Sequence, residues 1–319
     1  MSSTLNFAAT SPRPDLADSL EKFDLMANAS GFVGLKIAPA LEVSEAFGEY
    51  PVVEPGDLLK VVQTLRNSDG SYRNISGRVG KDSYRTEEHG LVERIDDRYA
   101  AVHRGWFNSE RLATMRLQHA LALAHNKRVI AVAEAVSNTT AAGTAWSTTA
   151  SADPVANVRT AKLALRDRIG MATPIKMVLE LETFEFLKDC DAIINRLKYA
   201  GFRDPERSNI SAAALESVFD VDEIIVSTAK TNSADDPNAA TFANAWDKTK
   251  CLLFVAGSGD TIGPQYMRTF HWGGDGSSIG GTIESYGDDA RRSDNIRVRF
   301  DVEEKEIYSD AAQLITGVQ

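Results

Sequence analysis

One glycine-rich stretch, residues 266–281, holds residue types that could do chemistry: YMRTFHWGGDGSSIGG. His271 could act as a general base, and the glycines that follow could hold an anion. The same residues alternate as a β-strand does, with Phe270 and Trp272 on one face and His271 on the other. We therefore predict a strand whose two aromatic residues anchor a junction, followed by a flexible turn over 273–281 between antiparallel strands. His271 is predicted to form a hydrogen bond on the opposite face or at a subunit contact.

Other patterns for catalysis or cofactor binding are absent or weak. The sequence contains no HExxH, Walker or GxGxxG motif. GSGDTIG at 257–263 follows a predicted strand, but no helix signal follows it, and phosphate-binding loops depend on a helix N-terminus. His119 and His125 are six residues apart in a predicted helix and therefore lie on different faces. We predict no catalytic residue, no bound metal and no cofactor.

Composition and charge exclude further classes. The 319 residues are 43% hydrophobic and 25% charged, as expected for one elaborate globular domain or two joined ones. A net charge of −10 disfavours nucleic-acid binding, which requires basic surface. No apolar run approaches the roughly 20 residues of a membrane span, and no signal peptide pattern is present. Cys190 and Cys251 lie in separate apolar runs, so we expect packed, reduced thiols in a soluble chain made in a cytoplasm.

Charged pairs are numerous and are interpreted as surface features. The carboxylate pairs predicted to be solvated are Glu180/Glu182, Asp288/Asp289 and Glu303/Glu304. Arg291 and Arg292 are flanked by aspartates, which favours pairing with carboxylates of a neighbouring element or subunit over phosphate binding.

The elements that must position these residues include a long helix over about 107–137. Asn108 or Ser109 can cap it, and about thirty residues extend it to ~45 Å. Its apolar face must be covered along much of that length, so we interpret it as a spine. Asp153-Pro154 is typical of a helix start and predicts a second helix. Buried strands and short helices then alternate to about residue 257, with a polar loop predicted over 230–246.

Polar segments and short strands complete the chain. Residues 1–30 are predicted to be an arm that lies against a neighbour, and 31–56 to be extended strand and loop. Residues 56–88 predict a two-stranded ribbon that turns near SDG or SGRVG; because such a ribbon is marginal alone, it needs another surface. Short strands are predicted for MRTFHW, GTIESYG, NIRVRFDV and KEIYS. In NIRVRFDV, Ile296, Val298 and Phe300 share one face.

This order of elements resembles the major capsid proteins of tailed bacteriophages, whose fold is shared with encapsulin shells. The segment after the family's N-terminal arm is similar to GFVGLKIAPALEVSEAFGEYPVV. The strand that returns from the family's extended loop is similar to YRTEEHGLVERIDD. The start of the family's axial domain is similar to AWSTTASADPVANVRTAKLALRDRIGMATPIKMVLELETFEFLKD. The central strands of that domain are similar to VFDVDEIIVSTAKTN and WDKTKCLLFVAG. RTFHWGG and ESYGDDARRSDNIRVRFDVEEKEIYSDAAQLITGV resemble the closing strands of its peripheral domain. The joint order carries the resemblance from about Gly31 onward, since no single motif is specific.

The resemblance implies an α+β protein with the tailed-phage capsid fold. That fold comprises an N-terminal arm, an extended β-hairpin loop, a long spine helix, a peripheral domain and a mixed α/β axial domain. The implied divisions are 1–30 for the arm, 31–55 and 89–152 for the peripheral domain, 56–88 for the extended loop, 153–265 for the axial domain and 266–319 for the return strands of the peripheral domain. Phe270 and Trp272 are then expected to anchor the junction between the axial and peripheral regions.

The resemblance also implies a structural function and no enzymatic activity. The chain is expected to assemble into hexamers and pentamers of an icosahedral phage head that encloses double-stranded DNA without sequence-specific binding. Expected partners are further copies, a separate scaffolding protein (the chain has no room for a scaffolding segment before its arm), a portal and an optional decoration protein, with no membrane. The expected location is the virion, after assembly in the cytoplasm of a bacterial host. Residues expected at contacts between subunits are Arg66, Tyr72, Arg73, Arg78, Lys81, Arg85, Arg291 and Arg292.

Two alternatives stay open. The first is an encapsulin-like nanocompartment shell with a protein cargo. The second is a soluble α/β enzyme with His271 as base, in which His271→Ala would abolish activity and leave a small oligomer intact. Some capsid proteins crosslink a loop lysine to an asparagine of a neighbour, but Lys60, Lys81 and Asn295 do not suffice to predict a crosslink here.

Overall fold

The computed structural model describes residues 11–12, 31–53, 56, 59–62, 64–66, 70, 72, 77, 79–103, 109–170, 174–199, 210–232, 234, 241–257 and 264–319. Its helices are α1 (Gly34–Ile37), α2 (Asp97–His103), α3 (Ser109–Ala133), α4 (Pro154–Ile169), α5 (Leu181–Asp189), α6 (Asp191–Tyr199) and α7 (Ala212–Phe219). Its strands are β1 (Ser11–Pro12), β2 (Ala40–Val43), β3 (Phe47–Val53), β4 (Val79–Arg85), β5 (Glu87–Asp96), β6 (Thr139–Ala141), β7 (Ile175–Glu180), β8 (Glu223–Ser227), β9 (Lys230–Asn232), β10 (Phe242–Asn244), β11 (Lys250–Val255), β12 (Met267–Trp272), β13 (Thr282–Asp288), β14 (Ser293–Glu306) and β15 (Ala312–Thr316). This mixture of helices and sheets confirms the predicted α+β class.

The first sheet is built around β14 and is called the β14 sheet. β5 pairs antiparallel with one side of β14, from Ser293 to Val302. β13 and β12 both pair antiparallel with β14 and occupy its other side, one after the other. β2 continues the sheet beside β12, in parallel, and β1 continues it beside β13. Ile296, Val298 and Phe300 are buried on one face, as their alternation predicts.

The second sheet, called the β11 sheet, has the order β6-β15-β11-β7-β8. β11 lies in its middle and pairs antiparallel with both β15 and β7. Both faces of such a strand are covered, so β11 reads as the continuous apolar run CLLFV rather than as an alternation. Cys251 in β11 and Cys190 before α6 are buried free thiols, as predicted.

Helix α3 joins the cores of the two sheets. Near its start, Leu117 and Leu121 pack with Val298 and its neighbours on the β14 sheet. Near its end, Val129 and Ala133 belong to the larger core that surrounds the β11 sheet. Its 25 residues rise ~37 Å. The predicted spine helix is therefore confirmed, somewhat shorter than the predicted 107–137 (104–108 lie outside the described residues).

The short helix α1 departs from the prediction that 31–56 consists of extended strand and loop. Its first turn is capped from outside: the Val33 and Gly34 N–H groups donate to Asn126 Oδ1 of α3 at 2.9 and 2.8 Å. A helix start leaves N–H groups without partners, and here a residue 92 or 93 positions away satisfies two of them. No local sequence pattern could indicate this tertiary cap.

Helix α4 begins as its Asp-Pro pair predicts. Asp153 is the N-cap and accepts a hydrogen bond from the Ala156 N–H at 3.0 Å, with Pro154 in the first turn. The helix ends at Ile169, and the residue that caps it, Gly170, has a φ of 71° that suits glycine.

Removal of this cap gives a first testable prediction. We expect Asp153→Ala to lower the free energy of unfolding by about 1 kcal/mol, because one helix N–H loses its acceptor. Asp153→Asn keeps an acceptor oxygen and should lose much less. Urea unfolding of the two variants measures the difference, and equal losses would contradict the cap.

Two further predictions about secondary structure are wrong in detail. The predicted polar loop at 230–246 contains β9 and β10, which pair as a small antiparallel ribbon, and it ends at the fully buried Trp246. Strands of three residues are too short to show a periodicity. KEIYS is not a separate strand, because β14 runs on to Glu306 and pairs with β12 there.

Candidate assembly surfaces

His271 lies on β12 in an enclosed position. Its side chain is buried, and its Nε2 is 3.3 Å from Ser277 Oγ. Ser277 Oγ in turn donates to the Trp272 carbonyl oxygen at 2.6 Å, so its proton is already committed to the backbone. Burial lowers the pKa of His271, which favours the neutral imidazole. The pair therefore holds a loop in place within one chain, rather than activating a nucleophile.

That loop, residues 273–281, is not the predicted turn between antiparallel strands. Val302 pairs with both His271 and Glu87, so β12 and β5 lie on opposite sides of β14. β13 also lies opposite β5, and it therefore follows β12 along the same side of β14. Residues 273–281 leave that side and return to it. An ion pair between Asp275 and Arg299 fixes this excursion to β14.

The excursion also contains GSSIG at 276–280, which fits the G-x-S-x-G spacing of a nucleophile elbow. That elbow places its serine on a turn between a strand and a helix. Ser278 is followed instead by strand β13, and the nearby His271 contacts Ser277 rather than Ser278. The match in spacing therefore lacks the structural context that the chemistry needs.

A buried ionic cluster fixes α3 to β14. Arg128 Nη2 donates to Glu304 Oε1 at 2.7 Å, and Arg128 Nε is 3.0 Å from both carboxylate oxygens. His125 Nε2 is 3.6 Å from Glu304 Oε1 and 3.2 Å from Thr269 Oγ1 on β12. The Glu304 side chain is 8% exposed, so the prediction that Glu303/Glu304 is a solvated pair is wrong for Glu304. Arg128 and Glu304 are 176 positions apart in the sequence, so no local sequence pattern could reveal that they form an ion pair.

Glu180 also departs from the prediction of solvated pairs. It is buried and caps α5 by accepting a hydrogen bond from the Glu182 N–H. A strand that leads directly into a helix places its last residue at the N-cap, where a carboxylate is favourable.

The ribbon of β3 and β4 is anchored by its inner face. The rings of Tyr50 and Tyr84 lie 5.5 and 4.7 Å from the ring of Phe270 on β12. The Tyr50 hydroxyl donates to Asp82 Oδ2 at 2.8 Å, and Lys305 Nζ donates to Asp82 Oδ1 at 2.8 Å. Burial and the Asp82 hydrogen bond raise the pKa of Tyr50. Phe270 thus anchors the ribbon to the β14 sheet, which is a different junction from the predicted one between the axial and peripheral regions. The strands lie at 47–53 and 79–85, so the whole of the first strand precedes the range 56–88 that was predicted for the ribbon, and that bound was wrong. The predicted turn lies mainly outside the described residues.

The outer face of the same ribbon is exposed and partly apolar. Phe47 and Val79 are each 62% exposed and lie near opposite ends of the paired strands. Between them, Lys81 Nζ pairs with Glu49 Oε2 at 2.9 Å. Phe47 and Val79 were not among the predicted contact residues, although their alternation with Tyr50 and Tyr84 could have indicated them. Exposed apolar residues that flank an ion pair are suited to contact another protein surface.

The predicted contact residues fall into three places. Arg66 and Tyr72 lie together beyond the ribbon, with the guanidinium carbon 5.0 Å from the ring centroid. Lys81 and Arg85 lie on the exposed face of β4. Arg291 and Arg292 lie in the turn between β13 and β14, where Arg291 Nε is 3.7 Å from Asp288 Oδ2. Arg73 and Arg78 are outside the described residues.

The structure shows neither a metal-binding cluster nor a membrane-spanning helix within the residues it describes. No three or more His, Cys, Asp or Glu side chains in that part of the chain converge as metal ligands would. No helix there is both long enough and apolar enough to cross a bilayer.

Comparison with known proteins defines the fold. No family model and no curated protein matches the sequence. Among solved structures, the chain is similar to a phage-related protein from Bordetella bronchiseptica RB50, with a TM-score of 0.68 and 19% identity over 97% of this chain and 98% of that one. It is also similar to the capsid of the cyanophage P-SCSP1u (TM-score 0.57, 14% identity, 88% and 86% covered). The SrpI encapsulin of Synechococcus elongatus PCC 7942 matches with a TM-score of 0.52 and 9% identity, over 89% and 86%.

The chain therefore has the fold of phage capsid and encapsulin shell structures, over almost its whole length. The resemblance stated from the sequence is confirmed at the level of fold.

Proposed function

We propose that this protein is the major capsid protein of a tailed phage and assembles into hexamers and pentamers of an icosahedral head around double-stranded DNA. The observation that carries the proposal is the similarity of fold over 97% of the chain to a phage-related protein, together with the similarity to a cyanophage capsid. The net charge of −10 supports it, because an acidic wall does not hold the packaged genome by phosphate contacts.

In this proposal, each region of the chain has its own role in assembly. The β14 sheet and α3 form the peripheral domain and spine, and the β11 sheet with its helices forms the axial domain. The β3–β4 ribbon leads into the extended loop, which lies over a neighbouring subunit, as does the N-terminal arm. Subunit contacts include Arg66, Tyr72, Arg73, Arg78, Lys81, Arg85, Arg291 and Arg292, with Phe47 and Val79 added from the ribbon's outer face.

The partners and location follow from the same proposal. The subunit contacts further copies of itself, a separate scaffolding protein, a portal and an optional decoration protein. It assembles in the cytoplasm of a bacterial host and remains in the virion.

A second candidate is an encapsulin-like shell with a protein cargo. The similarity to the SrpI encapsulin favours it, at a lower TM-score than that of the cyanophage capsid. Both candidates place the chain in a closed shell and differ in what the shell encloses.

Electron microscopy of particles purified from the native source separates the two. The phage proposal predicts heads with a portal and tail that contain nuclease-protected double-stranded DNA. The alternative predicts small shells that contain protein and no genome. Particles without DNA but with a stoichiometric enzyme would overturn the phage proposal.

A variant of His271 tests the structural role of that residue. We expect His271→Ala to assemble as the wild type does, while the free energy of unfolding falls by about 2 kcal/mol through the lost contact with Ser277. Particle yield and urea unfolding measure the two effects. Loss of a catalytic activity with unchanged stability would contradict this assignment and favour the enzyme alternative.

A further inference from the structure

Strand β5 forms an open edge of the β14 sheet. It pairs with β14 on one side, and no described strand pairs with its other side. Gly90 lies near its middle and is exposed, so the backbone itself is accessible there. At ten residues, β5 is about twice the usual length of a strand, and it contains no proline. Proteins usually keep such edges short or blocked, because their unpaired N–H and C=O groups can pair with another chain.

The exposed side chains of β5 are partly apolar. Leu91 is 40% exposed and lies opposite Val298, on the face of the sheet that α3 covers. Val92 is 48% exposed and lies opposite Arg297, on the other face. Two adjacent apolar residues near the centre of an open edge therefore present one side chain to each face. A strand that pairs with this edge would cover both.

The sequence of β5 is self-complementary in one antiparallel register. A two-fold axis perpendicular to the sheet passes through one residue of the strand and keeps α3 on the same face of both copies. With the axis at Leu91, Glu88 lies opposite Arg94 of the second copy. Val92 then lies opposite Gly90 of the second copy, which has no side chain to obstruct it.

Both charged residues of this register are available. Arg94 is exposed and forms no ion pair within the described ranges of the chain. The Glu88 side chain is 60% exposed, and its Oε1 is 4.0 Å from Arg299 Nε, which is too long for a hydrogen bond. A two-fold contact would therefore gain a Glu88–Arg94 pair at each end, with the two Leu91 side chains meeting at its centre.

The neighbouring registers bring like charges together. With the axis one residue later than Leu91, Glu88 lies opposite Asp96 of the second copy. With the axis one residue earlier, Glu87 lies opposite Glu93 of the second copy. Like charges directly opposite each other destabilise a pair of strands. Charge thus favours the register at Leu91 and an identical strand as the partner.

We propose that β5 of one subunit pairs with β5 of a second copy, antiparallel and with a two-fold axis at Leu91, so that two β14 sheets become one continuous sheet. Pairing over 88–94 gives seven residues of each strand a partner, along about 24 Å. The inference rests on the proposed shell function. A two-fold contact joins two copies and closes no ring, so it links one capsomer to the next.

A single cysteine at the two-fold axis tests this register. Opposite Cα atoms in an antiparallel pair are about 4.5–5.5 Å apart, which a disulfide can span. Val92→Cys is the matched control, because position 92 is similarly exposed but its two copies lie about 8 Å apart, too far for a disulfide. Under mild oxidation, Leu91→Cys should give about tenfold more disulfide-linked dimer than Val92→Cys on a non-reducing gel. The native Cys190 and Cys251 are buried.

A charge swap tests the same contact without cysteines. Glu88→Arg places two arginines opposite each other at both ends of the contact, and Arg94→Glu places two glutamates there. Each single variant should reduce the yield of particles about tenfold. The two substitutions together restore both pairs and should return the yield to within about threefold of wild type. Thermal unfolding checks that each variant is folded.

The outcomes separate the contact from the shell function. Particles in which Leu91→Cys forms no more dimer than Val92→Cys would overturn the contact and leave the shell function intact, with the edge open to a strand of another protein. Wild-type yield from either single charge variant would also overturn the contact, and so would a folded double variant that does not assemble. Dimers of Leu91→Cys at high protein concentration without any particles would keep the contact and overturn the shell function. Absence of both would overturn both.

Discussion

Phe47→Asp combined with Val79→Asp is expected to stop assembly while leaving the subunit folded. Both side chains lie on the outer face of the β3–β4 ribbon, and the anchoring contacts of Tyr50 and Tyr84 lie on the other face. In the shell, the outer face would be covered by a neighbour, and burying an unpaired carboxylate costs several kcal/mol. We expect the particle yield to fall more than about tenfold. Size-exclusion chromatography and electron microscopy measure the yield, and thermal unfolding reports on the fold.

Apolar replacements provide the control for this variant. Phe47→Leu with Val79→Ile changes shape without adding charge and should still assemble. Normal assembly of the aspartate variant would show that this face does not lie in a contact. Unfolding of the aspartate variant at a much lower temperature would instead assign the two residues to the stability of the single chain.

Acid is expected to destabilise the subunit through His125. An unfolded histidine has a pKa of about 6.5, and burial lowers the pKa of His125 to about 4 in the folded chain. Between these values the unfolded chain binds a proton that the folded chain does not, so the free energy of unfolding falls as the pH falls. The contribution of His125 is complete above pH ~6.5, and about 3 kcal/mol of it is lost by pH ~4.

Comparison with His125→Gln isolates this effect. Burial has the largest effect and lowers the pKa of His125; Arg128 and His89 lower it further, and only Glu304 raises it. Other groups also titrate: burial lowers the pKa of His89 and raises that of Glu303. The difference in unfolding free energy between wild type and variant, measured by urea from pH 4 to 7, should slope by about 1.4 kcal/mol per pH unit near pH 5. Parallel curves for the two proteins would contradict the assignment.

Sequence could predict the elements whose signals are local. The Asp-Pro pair that starts α4 and the long apolar pattern of α3 are properties of adjacent residues, and both elements appear close to their predicted bounds. The alternation in β14 likewise identified its buried face. The order of such elements was sufficient to indicate the capsid fold, although no sequence family matches.

The features that sequence missed depend on distant partners. The cap of α1 comes from Asn126, and Glu304 is buried because Arg128 meets it across the core. Residues 273–281 were predicted to be a turn because a glycine-rich stretch after a strand can be either a turn between antiparallel strands or an excursion of this kind. Only the pairing of β14 distinguishes a chain that reverses from one that leaves a strand position and returns to it.

The central claim, that this chain builds a closed shell, is tested most directly by sedimentation velocity of the purified protein. We expect a dominant boundary of assembled rings and shells with masses many times the 34.7 kDa of one chain. Conditions should range over protein concentration, salt and the presence of co-expressed partner proteins. A single species of 34.7 kDa under all of these conditions would contradict the account.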